Sequence, residues 1–378
     1  MILKNYKWTL GSLMVFFSSL SQAQELPYPP SAIIKGIEID WSTHQRHAPG
    51  SDNFQLTWAR DGHLYGIWGD GGGFSGTNSA YRVSFGVARI EGDFDDYAGY
   101  DRYGHQESAE SEAKITGKSW GTIAVKNDLY AWVHPDKKDG AWGNWEDHHS
   151  ESRLYVSKDK GASWQPADWA FTPEDGLIGG GILQFGKGYK GARDNYVYHY
   201  LVEPNFYRNE KGVISELQVP GNIYLLRVNK KKIMTREAYE FFAGFNGEDP
   251  VWMKNIDAKK PVFTDKNGVG TPVGINYNAG LKRYFLSTEH DKPESGRIGV
   301  FDAPNPWGPW STVVYTTDET WFGHDNPETV PPNCFFWCFP TKWISKDGES
   351  ANMVFTGAGG GKDNDSFNTV RVDYLLFR

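Results

Sequence analysis

"SKDKGASW", residues 157–164, fits the pattern S-x-D-x-G-x-[ST]-W of the Asp-box hairpin. In that device the Asp and Ser side chains tie a tight β-turn, while the Trp buries between neighbouring blades of a β-propeller. Partial echoes occur at Ser345-Lys346-Asp347-Gly348 and Thr264-Asp265-Lys266-Asn267-Gly268. An Asp-box sits on the outer rim, so it speaks to fold and not to chemistry. Around it the chain reads as short strands separated by turn residues, among them "HLYGIWG", "RVSFGVARI", "DLYAWVH", "NYVYHYLV", "NIYLLRV", "RYFLSTEH" and "TVRVDYLLF". Such spacing argues for a sandwich, a barrel or a propeller. The best helical candidate is short: "MTREAYEFFAGF", residues 234–245, with Thr235 as N-cap and Gly244 near its end.

A repeat joining the two ends favours the propeller. "WGDGGGFSGTNSAYRVSFGVARI" (68–90) and "FTGAGGGKDNDSFNTVRVDYLLF" (355–377) share an apolar strand, a glycine cluster and a polar turn with Asn78 or Asn368. Each then opens its next strand with Arg82-Val83 or Arg371-Val372. Related hairpins at both termini are expected when a propeller closes by pairing its last and first blades. The expected fold is all-β, one propeller domain over residues 24–378, with five or seven blades left open by the residues themselves.

The first 23 residues read as a removable leader. Lys4 and Lys7 precede a mostly apolar stretch, residues 8–20, and Ser21-Gln22-Ala23 offers the small residues that a signal peptidase reads. Cleavage after Ala23 predicts a secreted protein, extracellular or periplasmic. No later run approaches the roughly 18 apolar residues of a membrane span, so no membrane partner is expected. Losing two lysines and no acid moves the net charge from −8 to −10. That balance argues against nucleic acid, and any anionic substrate must be met by a local basic patch. Aromatic residues make up 15% of the chain, 16 of them Trp, which suits sugar handling because pyranose C–H faces stack on indole and phenol rings. Most of these rings are nonetheless expected in the sheet core, and the protein is expected to be a monomer.

"GDGGGFSG", residues 69–76, contains G-x-G-x-x-G, but a strand-like run follows it where a dinucleotide site needs a helix. "GAGGGKD", residues 357–363, has Asp363 where a P-loop needs Ser or Thr on magnesium. Both are read instead as strand-end corners where the backbone is crowded or closely approached. Asp70 on the first corner either faces the cleft or caps the turn. His134 and His290 each end an apolar strand, where propeller sites are built. Cys334 and Cys338 in "NCFFWCFP" are the only cysteines: a disulfide, or a metal site completed by His290 or His324.

Two chemistries fit such a protein. A glycoside hydrolase needs two carboxylates converging on the sugar, and Asp52, Asp70, Glu203 and Glu289 are the strand-end acids available. A polysaccharide lyase needs a cation to neutralise a uronate carboxylate, a base for the C5 proton and an acid for the departing O4. For these the chain offers Tyr198, His199 and Tyr200, Arg208, Arg227, Tyr277 and His290.

The stretches "SDNFQLTWARDGHLYGIWGDGGG…RVSFGVARI", "GKSWGTIAV…LYAWVH", "AYEFFAGF…PVW", "INYNAGLKRYFLSTEH" and "GVFDAPNPWGPWSTVVY" resemble a secreted bacterial propeller family. That family is catalogued as a domain of unknown function and includes ulvan lyases of marine bacteria. The likeness spans nearly the whole chain after the leader. It implies a seven-bladed propeller that cleaves an anionic polysaccharide, ulvan, by β-elimination. It implies Tyr200 as base or acid, Arg227 as carboxylate neutraliser, Tyr277 and His290 in support, and His134, His148 or His149 as the histidine. Asp70, Arg208 and His148 are the implied substrate contacts. No cofactor is required for the chemistry; the implied metal is a structural zinc or calcium on His290, Cys334 and Cys338, with the Cys334–Cys338 disulfide as its rival. "GKSWG" carries Trp120 where related chains are expected to carry His or Tyr. The same broad family includes arabinan-cleaving hydrolases, so hydrolysis by paired carboxylates is the alternative, and a non-catalytic glycan-binding propeller is the third reading.

Overall fold

A computed structural model describes residues 25–104, 115, 117–135, 151–205, 217–328, 330, 333–357 and 364–377. Strand β1 (Ile34–His47) is followed by the first blade, an antiparallel meander of β2 (Asp52–Trp58), β3 (Leu64–Gly69), β4 (Gly86–Glu91) and β5 (Ala98–Tyr103). The second blade repeats the design with β6 (Gly117–Val125), β7 (Asp128–Pro135), β8 (Ser152–Ser157) and β9 (Gln165–Phe171). In the third, β10 (Ile178–Ile182) and β11 (Tyr196–Val202) lead past the short β12 (Leu217–Gln218) to β13 (Gly221–Asn229), β14 (Glu240–Asn246) and β15 (Asp249–Met253). There β16 (Pro261–Asp265) also pairs with β13, and β17 (Val269–Gly270) pairs with β12. The fourth blade is β18 (Gly274–Asn278), β19 (Arg283–Glu289), β20 (Ile298–Ala303) and β21 (Ser311–Tyr315). The fifth is β22 (Phe335–Cys338), β23 (Ser350–Thr356) and β24 (Phe367–Leu376), completed by β1.

Closure therefore joins the two ends of the chain, with β1 antiparallel to β24 from Ile34 opposite Leu376 to His47 opposite Phe367. This ties the first and last strands into one four-stranded blade, with β1 as its outer edge. The fold is a β-propeller, and its count is five blades, not the seven that the resemblance implied. The glycine corner after β3 and the described Gly357 after β23 leave the second strands of adjacent blades, and the Gly50 N–H, ahead of β2, donates to the Asp365 carbonyl at 2.6 Å. Gly71 shows why the corner needs glycine: its φ is 67°, and a Cβ there would lie 2.2 Å from the Gly50 carbonyl oxygen.

Bulky aromatic residues fill the contacts between blades, with Trp68, Trp120, Trp132 and Trp337 fully buried. Trp132 of the second blade donates its indole N–H to His199 Nδ1 of the third at 3.0 Å, and burial pushes that imidazole down to about 3. The Asp-box forms as expected. Ser157 Oγ and the Ser163 N–H donate to Asp159 Oδ1 at 2.8 and 2.9 Å, and Trp164 reaches Phe85 of the first blade with ring centroids 5.9 Å apart. Residues 234–245 do not form the expected helix. Thr235 caps nothing, a single 3-10 turn spans Arg236–Ala238, and β14 follows with Tyr239 and Phe241 buried. One turn cannot offset the cost of nucleating a helix, and the alternating aromatics gain more from the sheet. Among the described residues, no helix is long and apolar enough to cross a membrane.

Candidate active site

The meander topology sends every innermost strand up and every second strand down, so the starts of β2, β6, β10, β18 and β22 and the ends of β3, β7, β11, β19 and β23 share one face. Asp52 opens β2, Lys118 stands second in β6, Asp70 follows β3, Glu289 ends β19 and Asp365 precedes β24. Asp70 and Asn53 have φ of 49° and 57°, a left-handed conformation that Asp and Asn tolerate better than other side-chain-bearing residues. The strand ends thereby turn sharply enough to present side chains over the axis.

Asp70 bridges two cations. Its Oδ2 lies 2.8 Å from Arg82 Nη2, and its Oδ1 accepts from Lys118 Nζ, a side chain only 5% exposed. Asp52 sits opposite Gly69 in the β2–β3 ladder, and its Oδ1 is buried with no hydrogen-bond partner. Burial pushes the Asp52 carboxyl up to about 8; Lys118 opposes this, whereas Asp70, Asp365 and Glu294 reinforce it. Glu289 is also pushed up to about 8, chiefly by burial, although it accepts the Glu294 N–H at 3.0 Å. Asp365 and Glu294 are raised by desolvation first and by neighbouring carboxylates second. Asp52, Asp70 and Asp365 thus gather around Lys118 and Arg82, Glu294 acts on Asp52, and Glu289 is joined to the group through Glu294; such neighbouring carboxyls cannot all be ionised together. The cluster therefore sets two carboxyls held toward the protonated form by burial, Asp52 and Glu289, beside the Asp70 ion pairs, a combination suited to acid–base chemistry.

The other expected site residues lie elsewhere. Tyr200 on β11 is fully buried and donates its hydroxyl to the Pro306 carbonyl at 2.6 Å, and burial holds that hydroxyl well above the usual phenol range. A substrate does not reach it. Arg227 on β13 lies away from the axis, ion-paired to Glu240 at 2.7 Å and stacked between Tyr196 and Trp252 at 4.2 and 4.1 Å. Tyr277 is near the opposite end of its strand from the carboxylates, packed on Tyr284 with centroids 4.8 Å apart. His134 is fully buried, and its Nε2 meets Ser152 Oγ at 2.7 Å and the Gly179 N–H at 3.0 Å, which pins the second blade to the third. Trp120, at the departure in "GKSWG", is buried against His134 and Phe336.

His290 stands at the right end of the molecule but behind Glu289. Its buried ring stacks on Tyr315 at 3.7 Å and its Nδ1 meets Asp291 at 2.9 Å. Glu203 ends β11 on the carboxylate face, but it accepts from Asn222 Nδ2 at 2.5 Å and from the Tyr224 hydroxyl at 3.3 Å. His148, His149 and Arg208 lie outside the described residues. The lyase set of Tyr200, Arg227 and Tyr277 is therefore not brought together, whereas Asp52 and Asp70 are, and Glu289 is joined to them through Glu294.

Neither expectation for the cysteines is realised. Cys334 and Cys338 are buried and not joined in a disulfide, Cys338 donates toward the Phe54 carbonyl at 3.5 Å, and burial pushes its thiol up to about 12. Among the described residues, no group of three His, Cys, Asp or Glu is arranged to hold a metal, so His290, Cys334 and Cys338 do not fit a zinc or calcium.

The family model described as a domain of unknown function, DUF4185, matches residues 120–329. The chain belongs to this family. The match runs from β6 into the approach to β22, so both Asp52 and Asp70 in the first blade lie outside the matched part of this DUF4185 chain. Among solved structures it is similar to a protein from Bacteroides ovatus ATCC 8483 that is described provisionally as a hydrolase, with 9% identity, 87% of each chain covered and a TM-score of 0.52. That likeness supports the propeller fold alone. Two further similar structures are an α-L-arabinofuranosidase from Podospora anserina (9% identity, 92% and 97% covered, TM-score 0.49) and a thermostable family-43 glycoside hydrolase (16% identity, 87% and 90% covered, TM-score 0.48). No curated protein matches the chain.

Lys118, Arg82, Glu294 and Asp365 are the site residues that the sequence reading missed. Arg82 and Asp365 lay inside the quoted glycine repeats, and Lys118 lay inside "GKSWG". Glu294, in "HDKPESG", has only a turn signature.

Proposed function

We propose that this DUF4185 protein is a secreted glycoside hydrolase whose centre is the carboxylate cluster on the axial face. One observation carries the reading: Asp52, with a buried and unpartnered Oδ1 and a carboxyl pushed up to about 8, shares its field with three other acids, Asp70, Asp365 and Glu294, from three blades. Asp52 is the proton donor to the departing glycosidic oxygen. Glu294, on the turn between β19 and β20, is the carboxylate that takes a proton from the attacking water as its oxygen bonds to the anomeric carbon. Asp70 keeps Lys118 and Arg82 in place and in this way sets the charge felt by Asp52. The leader over residues 1–23 supports export, where polysaccharides are met.

Elimination is the competing outcome, and one assay separates the two. The protein is incubated with neutral plant and algal polysaccharides and with ulvan, and new reducing ends and the ultraviolet absorbance of an unsaturated uronate are followed together. Reducing ends without that absorbance, abolished in Asp52→Asn, are expected. Absorbance that rises on ulvan and survives Asp52→Asn overturns the proposal. Binding without either product favours the non-catalytic reading.

A further inference from the structure

Outside the axial cluster, a furrow of about 440 Å³ runs between the fourth and fifth blades. Ile298, Val300 and Val314 of the fourth blade form one wall, and Ile37, Ile39 and Trp41 of β1 form the other. The segment Trp321–Asp325 closes its upper end. Its size falls within the range of small-ligand pockets, roughly 300–1,000 Å³.

The furrow is joined to the candidate active site through the backbone. Ile298 is the ladder partner of Glu289, and the Thr316 N–H donates to the Ile298 carbonyl at 3.1 Å. Two strand spacings, about 10 Å, therefore separate the Glu289 end of β19 from the furrow at Thr316. The Phe322 N–H donates to the Gly296 carbonyl at 2.7 Å, so the upper wall is tied to the turn that carries Glu294. A chain lying across the axial face and leaving between these blades runs into the furrow.

Its lining indicates the class of ligand. Trp41 and Trp321 are half-buried, and Trp41 is held edge-on by Phe322 with centroids 5.3 Å apart. Indole faces stack on the C–H faces of sugar rings. Around them Thr316, Thr320 and the His324–Asp325 pair, 2.9 Å apart, supply hydroxyl-matching donors and acceptors. Among the described residues the lining contains Glu38 and Asp325 but no lysine or arginine, and the neighbouring Arg297 is ion-paired to Asp291 and Asp318. A sulfated or uronate residue finds no cation here, whereas an uncharged pyranose or furanose finds both an apolar platform and polar partners.

We infer that this furrow is a distal subsite that takes uncharged sugar residues of a polysaccharide chain extending from the axial cluster. The assignment rests on the hydrolase reading for its connection to catalysis, but sugar binding in the furrow can be measured without turnover. The intact protein and its Trp321→Ala and Trp321→Phe variants are titrated calorimetrically with mono- to hexasaccharides of the xylan, arabinan and laminarin series and with sulfated ulvan oligosaccharides. Circular dichroism and Tm check that each variant is folded.

The expected result is neutral oligosaccharide binding that tightens with length, weakens about tenfold in Trp321→Ala and recovers in Trp321→Phe, with monosaccharide binding unchanged. If the protein binds these sugars in this way yet cleaves nothing, the subsite stands and the hydrolase reading fails. Equal affinity of Trp321→Ala and wild type, binding of the sulfated series in preference to the neutral one, or no oligosaccharide binding overturns the subsite.

Discussion

The Asp52 carboxylate occupies the space that Gly69 leaves empty: its Oδ1 lies 2.6 Å from the position a Cβ on Gly69 would take, and Lys118 Nζ lies 3.6 Å from the same point. A methyl group there collides with the acid and crowds its cation at once. Gly69→Ala is expected to reduce hydrolysis at least tenfold by moving Asp52 off its position, with a modest fall in Tm. Steady-state rates and a melting curve check this, and unchanged rates would show that the site does not depend on that packing.

Asp52 and Glu289 carry carboxyls raised to about 8, so the folded protein holds two protons that unfolded carboxylates release near pH 4. The stability from these protons is complete below about pH 4 and is lost as pH rises from about 4 to about 8. Tm is expected to decline across that window, and the decline is expected to shrink in Asp52→Asn and in Glu289→Gln. Hydrolysis should fall above about pH 8 as the donor ionises, and Asp52→Asn should lower kcat by roughly 100-fold or more.

Tyr200→Phe removes one buried hydrogen bond to the Pro306 carbonyl, a loss of about 1 kcal/mol in stability. Arg227→Ala removes a guanidinium stacked between Tyr196 and Trp252. Both variants are expected to melt earlier and to keep their turnover at temperatures where they are folded. Loss of turnover in either, with the fold intact by circular dichroism, would return those residues to the active site.

Asp159 accepts from Ser157 Oγ, the Ser163 N–H and Ser163 Oγ, three of the hydrogen bonds that tie the Asp-box turn. Asp159→Ala should lower stability by about 1–3 kcal/mol without changing KM, because the turn is on the rim. Denaturant unfolding and substrate titration measure the two effects separately.

Cys334 and Cys338 are expected to react with a thiol reagent only after unfolding, and reductant should leave Tm unchanged. Mass spectrometry after alkylation under denaturing, non-reducing conditions counts the free thiols. A mass lower by two hydrogens and no alkylation would establish the disulfide instead.

Local chemistry made much of this molecule legible in its sequence. The Asp-box could be read because the side-chain hydrogen bonds that shape its turn close within eight residues, from Ser157 to Trp164. The glycine corners could be read because crowding at Gly71 leaves a compositional trace. Asp52, Asp70 and Glu289 stood out as acids at strand ends, where a meander delivers side chains to one face. The tertiary structure alone decided the rest, because each remaining question depends on strands distant in sequence. The number of blades follows from how β1 closes on β24, and the alternation of strands and turns is the same in either count. The burial of Tyr200 and His134, and the distance of Arg227 from the axis, depend on which neighbouring blade covers each position. Lys118, Glu294 and Asp365 come from separate blades, and their shared field with Asp52 exists only once the ring is closed.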